Sequence, residues 1–431
     1  MSDTKFPENV NGNISATNDN IIESAMWIYI HIPFCVHKCV YCDFLSSPAN
    51  AQTHEAYVNA LIKEIEYAVK IHANELADFK VKTIFFGGGT PSAIDEKHIV
   101  RIMDTIKREF NVDSGAEITI ECNPGTLNMA KAVAYRSCGI NRISFGVQAA
   151  DDYALKMLGR IHTFADFEES MQIAREAGFK NINADIMSSL PGQTYESYIH
   201  GLKKILSLEP EHISAYSLIV EDGTPLSDNL ENYPPFPDED TEREMYYATK
   251  EILEKYGYQR YEISNYAKPG FECRHNKSYW ERIDYLGFGI GAASLFDNKR
   301  MTNITDINQY IKATGSAEVY EEFSELTKQD CIEEFMFLGL RQIRGISFEK
   351  FKMQFGTDIM DIYGDTISRN IKKGLMKLVT ADSVTKGCEA TLNNSENKAC
   401  ETDGIANQIC GCALTDRGID VSNVVLAEFL L

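Results

Sequence analysis

Three cysteines come first, because thiolates this close together suit a metal. Cys35, Cys39 and Cys42 lie in HIPFCVHKCVYCDF (31–44) with C-x3-C-x2-C spacing, directly after the β-branched and aromatic run WIYIHI. A cubane 4Fe-4S cluster usually takes four thiolates, so three would leave one iron free to bind a small molecule. A zinc ion completed by His31 or His37 uses the same residue types, and three reduced thiols in a loop need no metal at all. The position of the motif, after the first strand of a repeating array, favours the cluster.

A second segment, FFGGGTPS (85–92), ends the next apolar run. Its three glycines remove the β-carbons that would hold a ligand away from the backbone, and Pro91 ends regular pairing; a tight strand-to-helix turn explains the same residues. No Gly-Lys-Ser/Thr follows and no G-x-G-x-x-G is present, which argues against a nucleotide P-loop or a dinucleotide fingerprint.

These motifs sit in an array of six strand–helix pairs. The strands are predicted at 27–32, 83–87, 117–121, 141–146, 181–187 and 212–218, with helices near 55–78, 96–110, 127–138, 164–178, 195–208 and 239–256. Within the strands, Thr119 and Glu121 share one parity and Ile118 and Ile120 the other. Arg142, Ser144 and Gln148 agree in parity, as do Asn181, Asn183 and Asp185. Parallel strands covered on both faces should be apolar nearly throughout. One polar face instead predicts a lumen, so the fold class is α/β, a partial (β/α)6 barrel with its site at the C-terminal ends of the strands.

Residues 1–24 read as a disordered polar tail and 25–300 as the barrel domain, closed by extra strands and loops over 257–300. Residues 301–431 read as a smaller, mostly helical C-terminal domain with a polar, Cys-containing insertion at 382–412. Cys388, Cys400, Cys410 and Cys412 in that insertion match no regular zinc spacing and read as loop thiols, and Cys122, Cys138, Cys273 and Cys331 are isolated. No run approaches the ~18 apolar residues of a membrane span and no signal segment is evident, which predicts a cytoplasmic protein with reduced thiols. A formal charge of -21 argues against nucleic acid as a partner.

The cysteine spacing followed by GGGTP resembles the radical S-adenosylmethionine (SAM) enzymes. Within them, YIHIPFC, FFGGGTPS, ITIECNPGT, ISFGVQ, LGRIH, DIMSSLPGQT and YEISNYAKPG, in this order, resemble the oxygen-independent coproporphyrinogen III oxidase family from about residue 27 to the C-terminus. The resemblance implies a 4Fe-4S cluster on Cys35, Cys39 and Cys42, with SAM on the open iron as the source of a 5'-deoxyadenosyl radical. It places Tyr29 and Tyr41 beside cluster and SAM, and Gly88, Gly89 and Thr90 against the methionine end of SAM through the backbone. Glu121, Gln148, Arg160 and Asp185 then contact SAM or a second ligand.

Two branches of that family differ after the third cysteine. The decarboxylases carry a fourth cysteine two residues on, whereas Asp43 and Phe44 stand here, the pattern of the heme chaperone (HemW) branch. RHNKSYW (274–280) resembles the heme-associated His-Asn-x-x-Tyr-Trp element of that branch, with His275 as an iron ligand, Tyr279 and Trp280 as flat faces, and Cys273 nearby as a minor thiolate candidate. The implied function is binding heme and delivering it to apo-proteins of the respiratory chain, without decarboxylase activity. The alternative is radical decarboxylation of coproporphyrinogen III; radical modification of RNA and opening of the heme ring are further classes. The implied partners are heme, heme-acceptor apo-proteins, some of them membrane-bound and met transiently, and an electron donor such as flavodoxin or ferredoxin, with homodimers in some states.

Overall fold

Alternation along the strands decides the architecture. The computed structural model describes residues 24–380 and 409–431. Six parallel strands follow one another in sheet order: β1 (Ser24–Ile32), β2 (Phe79–Gly88), β3 (Val112–Cys122), β4 (Arg142–Gln148), β5 (Ile182–Ser188) and β6 (His212–Ser217). Helices Ala51–Ile71, Glu96–Glu109, Met129–Ser137, Phe164–Glu176, Tyr195–Leu206 and Glu239–Lys255 follow the six strands in turn, as expected. Ile28, Ile30, Ile84, Phe86, Ile118, Ile120, Ile143 and Phe145 share one buried core with apolar residues of these helices. The opposite parity faces inward, and a sheet with one polar concave face is the partial barrel predicted from the sequence.

The barrel stays open, and residues 257–300 extend its edges rather than join them. β7 (Gln259–Arg260) and β8 (Asn265–Ala267) add an antiparallel pair beside β6. β9 (Tyr285–Phe288) runs parallel to β1 at the other edge, followed by antiparallel β10 (Ala293–Phe296), β11 (Lys299–Asn303) and β12 (Tyr320–Glu325). Residues 301–325, assigned by the sequence reading to the helical part, therefore continue the main sheet, and Tyr310 and Val319 lie in the main core. Between the two edges the chain forms a short helix, Arg274–Trp280, where the sequence suggested only strands and loops.

A second core gathers helices Lys328–Gly339, Phe348–Phe355 and Ile359–Lys372. Against them pack three antiparallel strands, β13 (Ile346–Ser347), β14 (Met376–Thr380) and β15 (Ile409–Leu414). Cys410 and Cys412 are thus strand residues rather than loop thiols, and Cys412 is buried in that core. The tail over 1–23, Cys388, Cys400 and the insertion from 381 to 408 lie outside the described residues. Among the described residues, no helix is long and apolar enough to cross a membrane.

One buried carboxylate ties the β9–β11 edge to helix Ala51–Ile71. Glu64 accepts hydrogen bonds from Gly289 N at 2.9 Å, Asn303 Nδ2 at 2.6 Å and the Tyr310 hydroxyl. Burial outweighs these donors and pushes its carboxyl up to about 7. An unfolded Glu loses its proton near ~4.3, so between there and about 7 the folded state holds a proton that the unfolded chain has lost. Stability therefore falls as pH rises through that window, by roughly 3 kcal/mol for this group. Thermal melts from pH 5 to 7.5 should show a declining midpoint whose slope is visibly shallower in Glu64→Gln; an unchanged slope would contradict the assignment.

Candidate cluster and cofactor site

The thiol loop is fixed at the mouth of the barrel by backbone bonds. A bridge between Phe34 and Ser47 closes its neck, with Cys35 N donating to Ser47 O at 3.3 Å and Ser47 N to Pro33 O at 2.9 Å. Its far side is held by Val40, whose N–H donates to Leu158 O at 3.2 Å and whose carbonyl accepts from Leu226 N at 2.9 Å. The glycine turn after β2 packs directly beneath. A β-carbon on Gly89 would lie 2.8 Å from Phe34 O and 2.9 Å from Phe34 N, so only glycine allows the turn to meet the loop backbone.

Cys35, Cys39 and Cys42 are all partly exposed on this loop. The Cys35 sulfur accepts from Thr90 Oγ1 and the Cys39 sulfur from Arg160 Nη1, both at 3.5 Å. Burial raises the Cys42 thiol, and the neighbouring Cys39 and Cys35 act in the same direction. Among the described residues no three His, Cys, Asp or Glu side chains converge on one point, as a single zinc ion requires. Thiolates of a cubane bind separate irons, and the donors to two of the sulfurs suit such a cluster. His31, one candidate for completing a zinc site, already bonds Leu45 O at 2.9 Å and the Tyr29 hydroxyl at 3.1 Å.

The other expected site residues gather below the loop. Gly88 N donates to Glu121 Oε2 at 3.2 Å, Gly89 N to Ile32 O at 2.9 Å and Thr90 N to Phe34 O at 2.7 Å. These three amides are engaged within the protein, and Thr90 O accepts from Ala93 N at 2.8 Å, which fixes the turn. Burial, followed by the charge of Asp185, pushes Glu121 up to about 8, and burial raises Asp185 as well. Arg160 spans the mouth, donating to Cys39, to Asn123 Oδ1 at 2.8 Å and to Gly146 O. Gln148 has a positive φ of 66°, uncommon outside glycine, and accepts from the Tyr216 hydroxyl at 3.1 Å. Burial raises the hydroxyls of Tyr29 and Tyr41, so both stay neutral.

His275 is placed differently from the sequence expectation. It is 1% exposed in helix Arg274–Trp280, with Nδ1 bonded to Thr83 Oγ1 at 2.6 Å and Nε2 to the Tyr279 hydroxyl at 3.1 Å. Its ring stacks on Phe85 at 5.0 Å, and burial together with Arg142 holds it down to about 3, hence neutral. Thr83 precedes Gly88 by five residues along β2, which puts His275 about 16 Å below the mouth. With both nitrogens engaged, His275 does not fit an iron ligand in this arrangement; it closes the lumen floor. Cys273 does not fit one either, since burial pushes its thiol up to about 12 and its Sγ donates to Glu117 Oε1 at 3.6 Å.

The structure adds residues that the sequence reading did not single out as site residues. Asn123 joins Arg160 to Thr90 Oγ1, the latter at 2.8 Å, and Tyr216 reaches Gln148 from β6. The period-2 alternation of His212, Ser214 and Tyr216 was the available signal.

An open (β/α)6 sheet with a thiol loop after β1 and a glycine turn after β2 defines a radical SAM protein. In agreement, residues 29–205 match the Radical SAM superfamily model and residues 326–379 the HemN C-terminal domain model. The chain is 38% identical over 351 residues to the heme chaperone HemW of Bacillus subtilis, covering 81% of this chain and 92% of that one. It is 37% identical over 404 residues to the heme chaperone HemW of Lactococcus lactis, covering 94% and 97%. The chain belongs to the heme chaperone HemW family. The solved coproporphyrinogen III oxidase (HemN) of Escherichia coli shares the fold, with a TM-score of 0.74 at 22% identity over 95% of this chain and 90% of that one.

Two outcomes follow from the site. Alanine at Cys35, Cys39 and Cys42 together should abolish the broad iron–sulfur absorbance of anaerobically reconstituted protein; a retained cluster would refute the ligand assignment. His275→Ala, which leaves Thr83 and Tyr279 without their partner and a cavity against Phe85, should cost about 2 to 4 kcal/mol in denaturant unfolding. An unaltered midpoint would contradict its role in the floor.

Proposed function

We propose that this protein binds heme and delivers it to apo-proteins, with those of the respiratory chain as acceptors, and that it carries a 4Fe-4S cluster on Cys35, Cys39 and Cys42 completed by SAM. Membership of the HemW family over most of the chain carries the reading. When bound, the cluster and SAM supply one-electron chemistry. In heme delivery we read them as regulating uptake or release, with electrons from a flavodoxin or ferredoxin. The residues present suit that pair: partly exposed thiols, the neighbouring Glu121 and Asp185 carboxyls, and Arg160, whose charge acts on Asp185.

The mouth itself suits a flat apolar ligand. Val36 and Ile161 are exposed and line one cleft with Cys39 and Arg160, and Phe44 is 60% exposed on the same loop. Apolar exposure around a functional loop marks a surface that something covers. Phe44 also stands where the decarboxylases carry a further cysteine, which separates this reading from coproporphyrinogen III decarboxylation. We place the protein in the cytoplasm, with transient contact to membrane-bound acceptors and a homodimer in some states.

The test is transfer. Protein loaded with one equivalent of hemin, freed of excess and mixed with an apo-hemoprotein, should show its Soret band replaced by that of the acceptor holo-protein, faster than the same hemin held on serum albumin. Hemin that does not bind saturably, or that never leaves, would overturn the proposal.

A further inference from the structure

Among the described residues, the lumen holds a cation with no hydrogen-bonding partner. Arg142, on β4, is only 2% exposed and among the largest fully buried side chains, yet its Nε has no acceptor, and no carboxylate forms an ion pair with it among the described residues. The two carboxylates that act on it through space are engaged elsewhere. Glu117 accepts from Arg274 N and His275 N, each at 3.1 Å, and Asp185 accepts from Asn183 Nδ2 at 2.7 Å. Directly across the strand pair, Thr119 of β3 is the register partner of Arg142, and its Oγ1 is also buried without a partner. Two adjacent side chains on one face thus hold unused donors, where buried polar groups are nearly always bonded.

Tyr29, Phe85, Glu121, Asp185 and Ser214 face inward from their strands, yet each keeps part of its surface accessible. Thr119 lies two residues before Glu121, so the unused donors sit about 6.6 Å below the Glu121 level, between the mouth and the His275 floor. A guanidinium presents two parallel N–H groups and a threonine hydroxyl one more, a set that matches the oxygens of a carboxylate.

We propose that Arg142 and Thr119 form a carboxylate subsite inside the lumen, which anchors a carboxylate arm of the ligand entering at the mouth. Taking that ligand to be heme, the arm is a propionate, an identification that rests on the function proposed above. The apolar ring system then lies against Tyr29, Phe85 and the apolar mouth while one propionate reaches down to Arg142.

Anaerobic Soret titrations of the full chain with hemin and with hemin dimethyl ester, whose propionates are blocked, separate the two readings. Wild type should bind the free acid about tenfold or more tighter than the ester, Arg142→Met should bind both equally, and Arg142→Lys should keep part of the preference. Ester binding equal to acid binding in wild type, or an undiminished preference in Arg142→Met, would overturn the subsite while leaving heme binding intact. Failure of wild type to bind either compound would overturn the heme reading and the propionate assignment together. Removing an unpaired buried charge should leave the ligand-free melting temperature of Arg142→Met unchanged or higher. If that variant does not fold, Thr119→Val tests the same subsite, with an expected loss of about threefold in the acid-over-ester preference.

Discussion

Everything in the site depends on the two-sidedness of six parallel strands. Their outward residues pack under helices as one apolar core, and their inward residues are mostly polar, Thr, Glu, Arg, Ser, Asn, Asp and His, with the aromatic Tyr29 and Phe85 among them. Such a face can be buried only if its groups bond one another or a ligand. Much of it does bond internally: Asn183 links Ser144, Asp185 and His212, and His212 continues to Tyr261. Where the network is incomplete, at Arg142 and Thr119, the lumen is prepared for something else.

The same register builds the mouth. β1 and β2 pair through Ile32 and Gly88, so the thiol loop leaving one strand meets the glycine turn leaving the next. Gly89 removes the side chain that would part them, and Arg160 and Asn123 bridge the far side. A ligand between loop and lumen therefore meets sulfurs above and carboxyls below. The floor is closed by the chain itself. To pass from the β8 edge to the β9 edge it crosses the lumen, and helix Arg274–Trp280 fills the crossing with His275 against Phe85 and Thr83.

Much of this was legible in the residues. Period-2 alternation marks each strand and its inward face, and the cysteine and glycine segments fall where strand ends put them. What depended on distant partners was not legible. The seven residues of Arg274–Trp280 are too few for a helical period, and nothing local tells a buried, doubly bonded His275 from an available one. Likewise β11 and β12 look unremarkable alone and join the main sheet only through pairing with each other and with β10. Cys412 reads as a loop thiol until β13 and β14 flank it. Arg142 was visible as an inward residue, but its lack of a partner is a property of the assembled lumen.

The central claim is that the thiol loop and the lumen mouth form one continuous site in which a cluster iron is left open to SAM. Electron paramagnetic resonance of the anaerobically reduced, reconstituted protein, recorded with and without one equivalent of SAM, addresses it directly. The account predicts a single reduced-cluster signal whose g-values shift when SAM is added, with the shift lost or weakened in Glu121→Ala. A cluster signal indifferent to SAM in wild type would contradict it.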